Sequence, residues 1–264
     1  KGTKKADLLE HKEILLSEAL QQSPLIIRGE PGAGKTTFLR LLTFTLCSSW
    51  LGEPVRAAAG DIKWPQQPPL PIFVRMGELT QFLQQQREIK KCDMPLNDHS
   101  PDCLLRYLEA RSQEYAWHVT EADFRGELEQ GRCLILLDGL DEAPDEDVRK
   151  HMTDLAANIL KAYPDNQVVL TSRPAALTAE VMPAGFSLVD ILPLDDNAMT
   201  SFLSHWCDAL YADAPTKVEQ YYNDLQYALT ARPEIRRMAR TPVMLTALAV
   251  VHWNQNQLPE QRFE

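Results

Sequence analysis

The run Leu25-Ile26-Ile27-Arg28-Gly29-Glu30-Pro31-Gly32-Ala33-Gly34-Lys35-Thr36-Thr37 constrains this chain more than any other stretch. A short apolar segment breaks into a glycine-rich turn that leads straight into Lys and Thr. Gly29, four residues, then Gly34-Lys35-Thr36 is the spacing of a phosphate-binding loop. The context agrees, with a strand before it and Phe38, Leu39, Leu41, Leu42 and Leu46 at helical spacing after it. Glycines permit positive φ and let backbone N–H groups turn inward, while the following helix offers its positive N-terminal end to phosphates. Lys35 is then placed to reach β- and γ-phosphates, and the Thr36 hydroxyl to join the oxygen shell of Mg²⁺. The competing reading is an unrelated glycine turn before a helix, against which strand, Lys and Thr weigh together.

The rest of the first two thirds alternates strands with helices. Helical spacing runs from about Ala6 to Gln21, ahead of the first strand. Residues from Leu51 to Pro71 are rich in proline (Pro54, Pro65, Pro68, Pro69) and read as a loop. Pro71 to Met76 reads as a second buried strand, and Gln84 to Pro101 as a polar segment. Leu104, Leu105 and Leu108, then Phe124 and Leu128, have helical spacing, closed by Gly131. Cys133-Leu134-Ile135-Leu136-Leu137 has no polar alternation, which predicts a central parallel strand covered on both faces. A helix from about Asp145 presents Val148, Met152, Leu155, Ala156, Ile159 and Leu160 on one face, and Gln167 to Thr171 reads as another buried strand. This is an α/β pattern with a parallel sheet, whose ligands sit beyond the carboxyl ends of the strands. Three strands end in suitable groups: the loop at Gly29, the acids from Asp138, and Arg173.

From Leu192 the pattern turns helical. Asp195 or Asp196 caps a helix with Met199, Phe202, Leu203 and Trp206 on one face. Val218, Tyr221, Tyr222, Leu225 and Leu229 mark a second, and Thr241-Pro242 starts a third through Trp253. The expected organisation is an α/β domain over 1–191 with a leading helix and a small all-helical domain over 192–264.

Bulk properties narrow the function classes. The 264 residues suit one large domain or two smaller units. Hydrophobic residues at 44% and charged ones at 24% suggest neither disorder nor a membrane span, and no apolar run is long enough to cross a bilayer. Lys+Arg of 27 against Asp+Glu of 37 gives −10, which disfavours general nucleic-acid binding. Cys47, Cys92, Cys103, Cys133 and Cys207 are scattered without Cys-x-x-Cys spacing, so the thiols read as reduced, the compartment as cytoplasmic, and no zinc site is indicated. A start at Lys1, with no methionine or signal-like segment, reads as a piece of something longer.

Beyond the loop, Asp138 ends an apolar strand where a P-loop protein holds Mg²⁺, directly or through water, as the partner of Thr36. Asp141 or Glu142 could orient and deprotonate an attacking water near a γ-phosphate; solvated acids starting a helix are the plainer alternative. Arg173 can donate bidentate hydrogen bonds to phosphate oxygens and so report the γ-phosphate, or be a surface arginine.

Gly29 to Thr37, the Asp138-Gly139-Leu140-Asp141-Glu142 ending of the apolar strand, and Thr171-Ser172-Arg173-Pro174 together resemble a NACHT module, of the STAND class of signal-transducing P-loop ATPases. Leu192-Pro193-Leu194-Asp195 and Arg240-Thr241-Pro242-Val243-Met244-Leu245 are similar to that family's helical domain, in which the proline matching Pro242 contacts adenine. The resemblance covers nearly the whole chain. It implies a P-loop NTPase sheet sandwiched by helices, followed by a helical lid that stops short of a winged-helix domain. It also implies ATP/ADP and Mg²⁺ as cofactors, slow hydrolysis, and a switch in which ADP holds a closed monomer and ATP favours self-association. Effector and sensor domains would lie outside this stretch, as in prokaryotic antiphage NACHT proteins and animal NOD-like receptors. Two rivals stand beside it. A P-loop phosphotransferase would need a lid of arginines, and the nearest group is Arg232, Arg236, Arg237 and Arg240. An AAA+-like mechanical ATPase would need an arginine from a neighbouring subunit. Absence of an Asn-Lys-x-Asp motif favours adenine over guanine.

Overall fold

The computed structural model describes residues 13–53, 67–90, 99–212 and 215–255. Its centre is the apolar run read above. Strand β3 (Cys133–Asp138) is buried at all six positions, as a strand flanked on both edges and covered on both faces must be. Around it the described residues form a five-stranded, all-parallel sheet in the order β2-β3-β4-β1-β5, with β1 at Leu25–Arg28, β2 at Leu70–Arg75, β4 at Gln167–Ser172 and β5 at Ser187–Asp190. The chain is therefore α/β.

Alternate residues of each strand go to opposite faces, and two apolar clusters follow. Ile26, Val74, Ile135, Leu137, Val168 and Leu170 pack with helices α3 (Met76–Lys90), α4 (Asp102–Glu114), α5 (Glu121–Glu129) and α6 (Glu146–Ala162). Leu25, Ile27, Leu134, Leu136 and Val169 pack with α1 (Leu16–Ala19) and with Leu39, Leu42 and Leu46 of α2 (Lys35–Trp50). A third cluster draws only on later residues. It joins Met199, Leu203 and Cys207 of α7 (Asp196–Leu210) with Tyr221, Leu225 and Leu229 of α8 (Pro215–Thr230), and with Leu245, Leu248 and Ala249 of α10 (Pro242–Gln255).

Several elements differ from the sequence reading. The second strand lies at the sheet edge and is only half-buried, the place where Pro71 costs no central ladder bond. Helix α3 starts directly after it and takes in Gln84 to Lys90, the first part of the segment read as polar. Strand β5 was not expected; it pairs with β1 from Leu25↔Ser187 to Arg28↔Asp190. Short helix α9 (Pro233–Met238) carries Arg236 and Arg237, and Arg236 Nη2 pairs with Asp196 at 2.7 Å. Asp195, rather than Asp196, caps α7, accepting from Ala198 N at 2.6 Å. Of the expected leading helix, residues 13–15 are not helical, and the described remainder is the four-residue α1 followed by a single 3₁₀ turn at Leu20–Gln22. Residues 1–12, Cys92, Pro54, Pro65 and the tail from Leu258 lie outside the described residues. Within them, no helix is long and apolar enough to cross a membrane.

Candidate functional site

Register fixes the site, because parallel strands in register finish at one edge. Arg75 stands opposite Asp138, Leu137 opposite Leu170, and Ile27 opposite Thr171. The carboxyl ends of β2, β3, β4 and β1 therefore lie side by side. Gly29 N donates to Ser172 O at 3.2 Å, which ties the start of the glycine-rich turn to the end of β4.

The turn has the conformation its glycines allow. Gly32 and Gly34 have φ of +77° and +95°, a region costly for a residue with a Cβ, and Gly34 is the residue from which α2 starts. The N–H groups of Lys35, Thr36 and Thr37 are the first of that helix and have no carbonyl one turn earlier to receive them. Lys35 Nζ donates to Gly29 O at 2.5 Å and Glu30 O at 3.2 Å, so the ammonium curls back over its own loop. Burial pushes the Lys35 pKa down and Arg173 adds to this, while Asp141, Asp138 and Glu30 oppose it. Those interactions put Lys35 within electrostatic reach of all three strand ends. Glu30 and Pro31 are exposed at the tip of the turn, and Ala33 N closes it by donating to Glu30 O at 3.1 Å.

The acids separate into distinct roles. Asp138 is 4% exposed, and its Oδ1 accepts from Thr171 Oγ1 at 2.7 Å; that hydroxyl in turn accepts from Gly139 N at 2.9 Å. Its Oδ2 accepts no hydrogen bond among the described residues. Asp141 is committed to Arg173, with Oδ2 2.7 Å from Arg173 Nε and Oδ1 accepting from Arg173 N at 3.2 Å. The two side chains are 54% and 14% exposed for Arg173 and Asp141, so the pair holds an open guanidinium over a sheltered carboxylate. Glu142 takes no part in that pair. Burial pushes its carboxyl pKa up, with Asp138, Asp141 and Glu78 acting in the same direction and Arg75 against them.

Pro242 also reaches this edge. A Cβ on Gly34 would lie 3.8 Å from Pro242 Cγ, and one on Gly32 would lie 3.0 Å from Val243 Cβ. Val243 N is 3.4 Å from Gly32 O, so the start of α10 rests on the turn. Sequence reasoning thus named residues that come together from four elements. It gave no role to Thr171, whose hydroxyl links Asp138 to Gly139 N, or to Arg75, which stands opposite Asp138 at the sheet edge.

No group of three or more His, Cys, Asp or Glu among the described residues converges to hold a metal. Compared with known proteins, the chain matches no family model and no curated protein.

Proposed function

We propose that this chain is an adenine-nucleotide switch of the NACHT type, binding ATP and ADP at the carboxyl edge of a P-loop NTPase sheet and hydrolysing ATP slowly with Mg²⁺. The observation that carries the reading is the chain of contacts where β1, β3 and β4 end: Lys35 on Gly29 O, Gly29 N on Ser172 O, Thr171 on Asp138, and Arg173 on Asp141. On this reading the helical unit from residue 192 onward is a lid.

Backbone N–H groups of Gly32 and of Gly34 to Thr37 would cradle the phosphates, and Lys35 would exchange two neutral carbonyl acceptors for charged phosphate oxygens, which bind it more strongly. The donor set suits magnesium, a hard ion that takes one or two protein oxygens and completes its shell with phosphates and water. Asp138 Oδ2 and the Thr36 hydroxyl would be the protein's share. When bound, the ion neutralises charge on the β- and γ-phosphoryl oxygens. Arg173, held open by Asp141, would sense the γ-phosphate. With Asp141 so engaged, Glu142 is left to accept a proton from the attacking water, and its raised pKa makes it a stronger base than an ordinary glutamate. Pro242 would meet the adenine side of the site. Val243 on Gly32 gives the lid a contact that two nucleotide states can weight differently. The module would serve a cytoplasmic innate-immune or antiphage protein that self-associates on activation, with sensor and effector elsewhere. The phosphotransferase alternative is weakened because Arg236 is paired with Asp196 rather than offered to a substrate.

The test is to release and identify nucleotide retained by the purified protein, then to titrate ADP and ATP by calorimetry against the wild type and Lys35→Ala. Retained ADP and loss of binding in the variant are expected. A wild-type protein that takes up neither nucleotide would end this reading.

A further inference from the structure

Gly77 is the second residue of α3 and is not one of the glycines with positive φ, so nothing in its backbone asks for glycine. Alanine is the better helix former at such a position. Space explains the choice. A Cβ on Gly77 would lie 2.7 Å from Glu142 Oε2, 3.3 Å from Glu142 Cβ and 3.7 Å from Glu142 Cδ, so its three nearest atoms all belong to one side chain. A second glycine borders the same group: a Cβ on Gly139 would lie 3.0 Å from Glu142 Cδ and 3.1 Å from Oε1. Gly139 also has φ of +79° and needs glycine for that reason alone; Gly77 does not. Glu142 is exposed, and among the described residues its carboxylate accepts no hydrogen bond; the two glycines leave open the space it occupies.

We propose that Gly77 is a positioning residue, whose missing Cβ leaves Glu142 the space beside α3 from which its carboxylate can serve hydrolysis. The inference rests on the reading of Glu142 as the acid that takes a proton from water. It adds that a residue 65 positions earlier, on the helix after the edge strand, sets where that acid stands (142 − 77 = 65).

Gly77→Ala in the full chain tests it. The closest obstacle, Glu142 Oε2, is the end of a flexible side chain, and Glu142 Cβ at 3.3 Å has only a few tenths of an ångström to give, so alanine should displace the carboxylate and leave the fold intact, with a thermal midpoint close to that of the wild type. ADP and ATP affinities should stay within about twofold, while single-turnover ATP hydrolysis falls by roughly tenfold to a hundredfold, the scale on which small misplacements act. Glu142→Gln should reach a similar floor, and adding Gly77→Ala to it should cost nothing more. Hydrolysis at the wild-type rate in Gly77→Ala, or a further loss in the double variant, would overturn the proposal. A wild type that binds no adenine nucleotide is a different outcome, which removes the underlying reading and this inference with it.

Discussion

A single hydroxyl joins two strands of the site. Thr171 is fully buried, donates to Asp138 and accepts from Gly139 N. Thr171→Val keeps the shape but leaves a buried carboxylate oxygen without its donor and a buried N–H without its acceptor. A loss of about 1–3 kcal/mol is expected, toward the upper end because one partner is a carboxylate. Urea denaturation with an unchanged m-value would measure it; a midpoint equal to that of the wild type would show that water or a shift of the strands takes over. The same residue marks what the sequence could disclose. Lys35 and Asp138 are legible because their chemistry is local to a turn or a strand end. Thr171 reads as the end of a strand and the start of a motif, with no role of its own, since its partner Asp138 is 33 residues away. Gly77 reads only as the residue that closes the second apolar run until Glu142 is seen against it.

At the level of elements, long periodic or wholly apolar segments were readable, and short or polar ones were not. β3, β4, α6 and α7 carry their own pattern. β5 has four residues, half of them exposed, and exists because β1 offers it an edge. α3 has few apolar residues, and Met76 and Leu79 are the ones buried in the core. Helix α10 holds a group with a pH consequence. His252 is 4% exposed against Tyr221, with ring centroids 5.3 Å apart, and its Nδ1 has no partner among the described residues. Burial pulls its pKa below the ordinary 6.5, with Asp224 opposing. The unfolded chain therefore takes up the proton first as pH falls. The stability linked to a neutral His252 is fully present above about pH 6.5 and is lost as pH drops through the lowered folded value. His252→Leu should flatten the fall in thermal midpoint below about pH 6.5 relative to the wild type. Parallel curves for the two proteins would assign the acid sensitivity to other groups.

Across the whole molecule, the α/β sheet and the helical unit meet at the glycine-rich turn, where Val243 stands on Gly32. That contact was not legible in the sequence, because nothing local to either segment encodes a neighbour more than two hundred residues away. Val243 is 59% exposed, so trimming it should barely affect stability. If the two units communicate through nucleotide, Val243→Ala should alter the ratio of ADP to ATP affinity by about two- to fivefold, the effect of up to about 1 kcal/mol of lost contact. Calorimetric titrations with both nucleotides would read the ratio, and an unchanged value would exclude the contact from that communication.

The strand order has a consequence for how the protein is made. β1 pairs not with β2, the next strand to be made, but with β4 and β5, both from far downstream, and its last residue, Arg28, bonds to Asp190 across 162 positions. At ordinary ribosomal speeds of about 5–20 residues per second, Leu25 to Arg28 waits roughly 10–30 s for those neighbours to emerge. A nascent chain halted before Gln167 therefore carries its glycine turn on a strand with bare edges, and the interval before release is when a chaperone has most to cover.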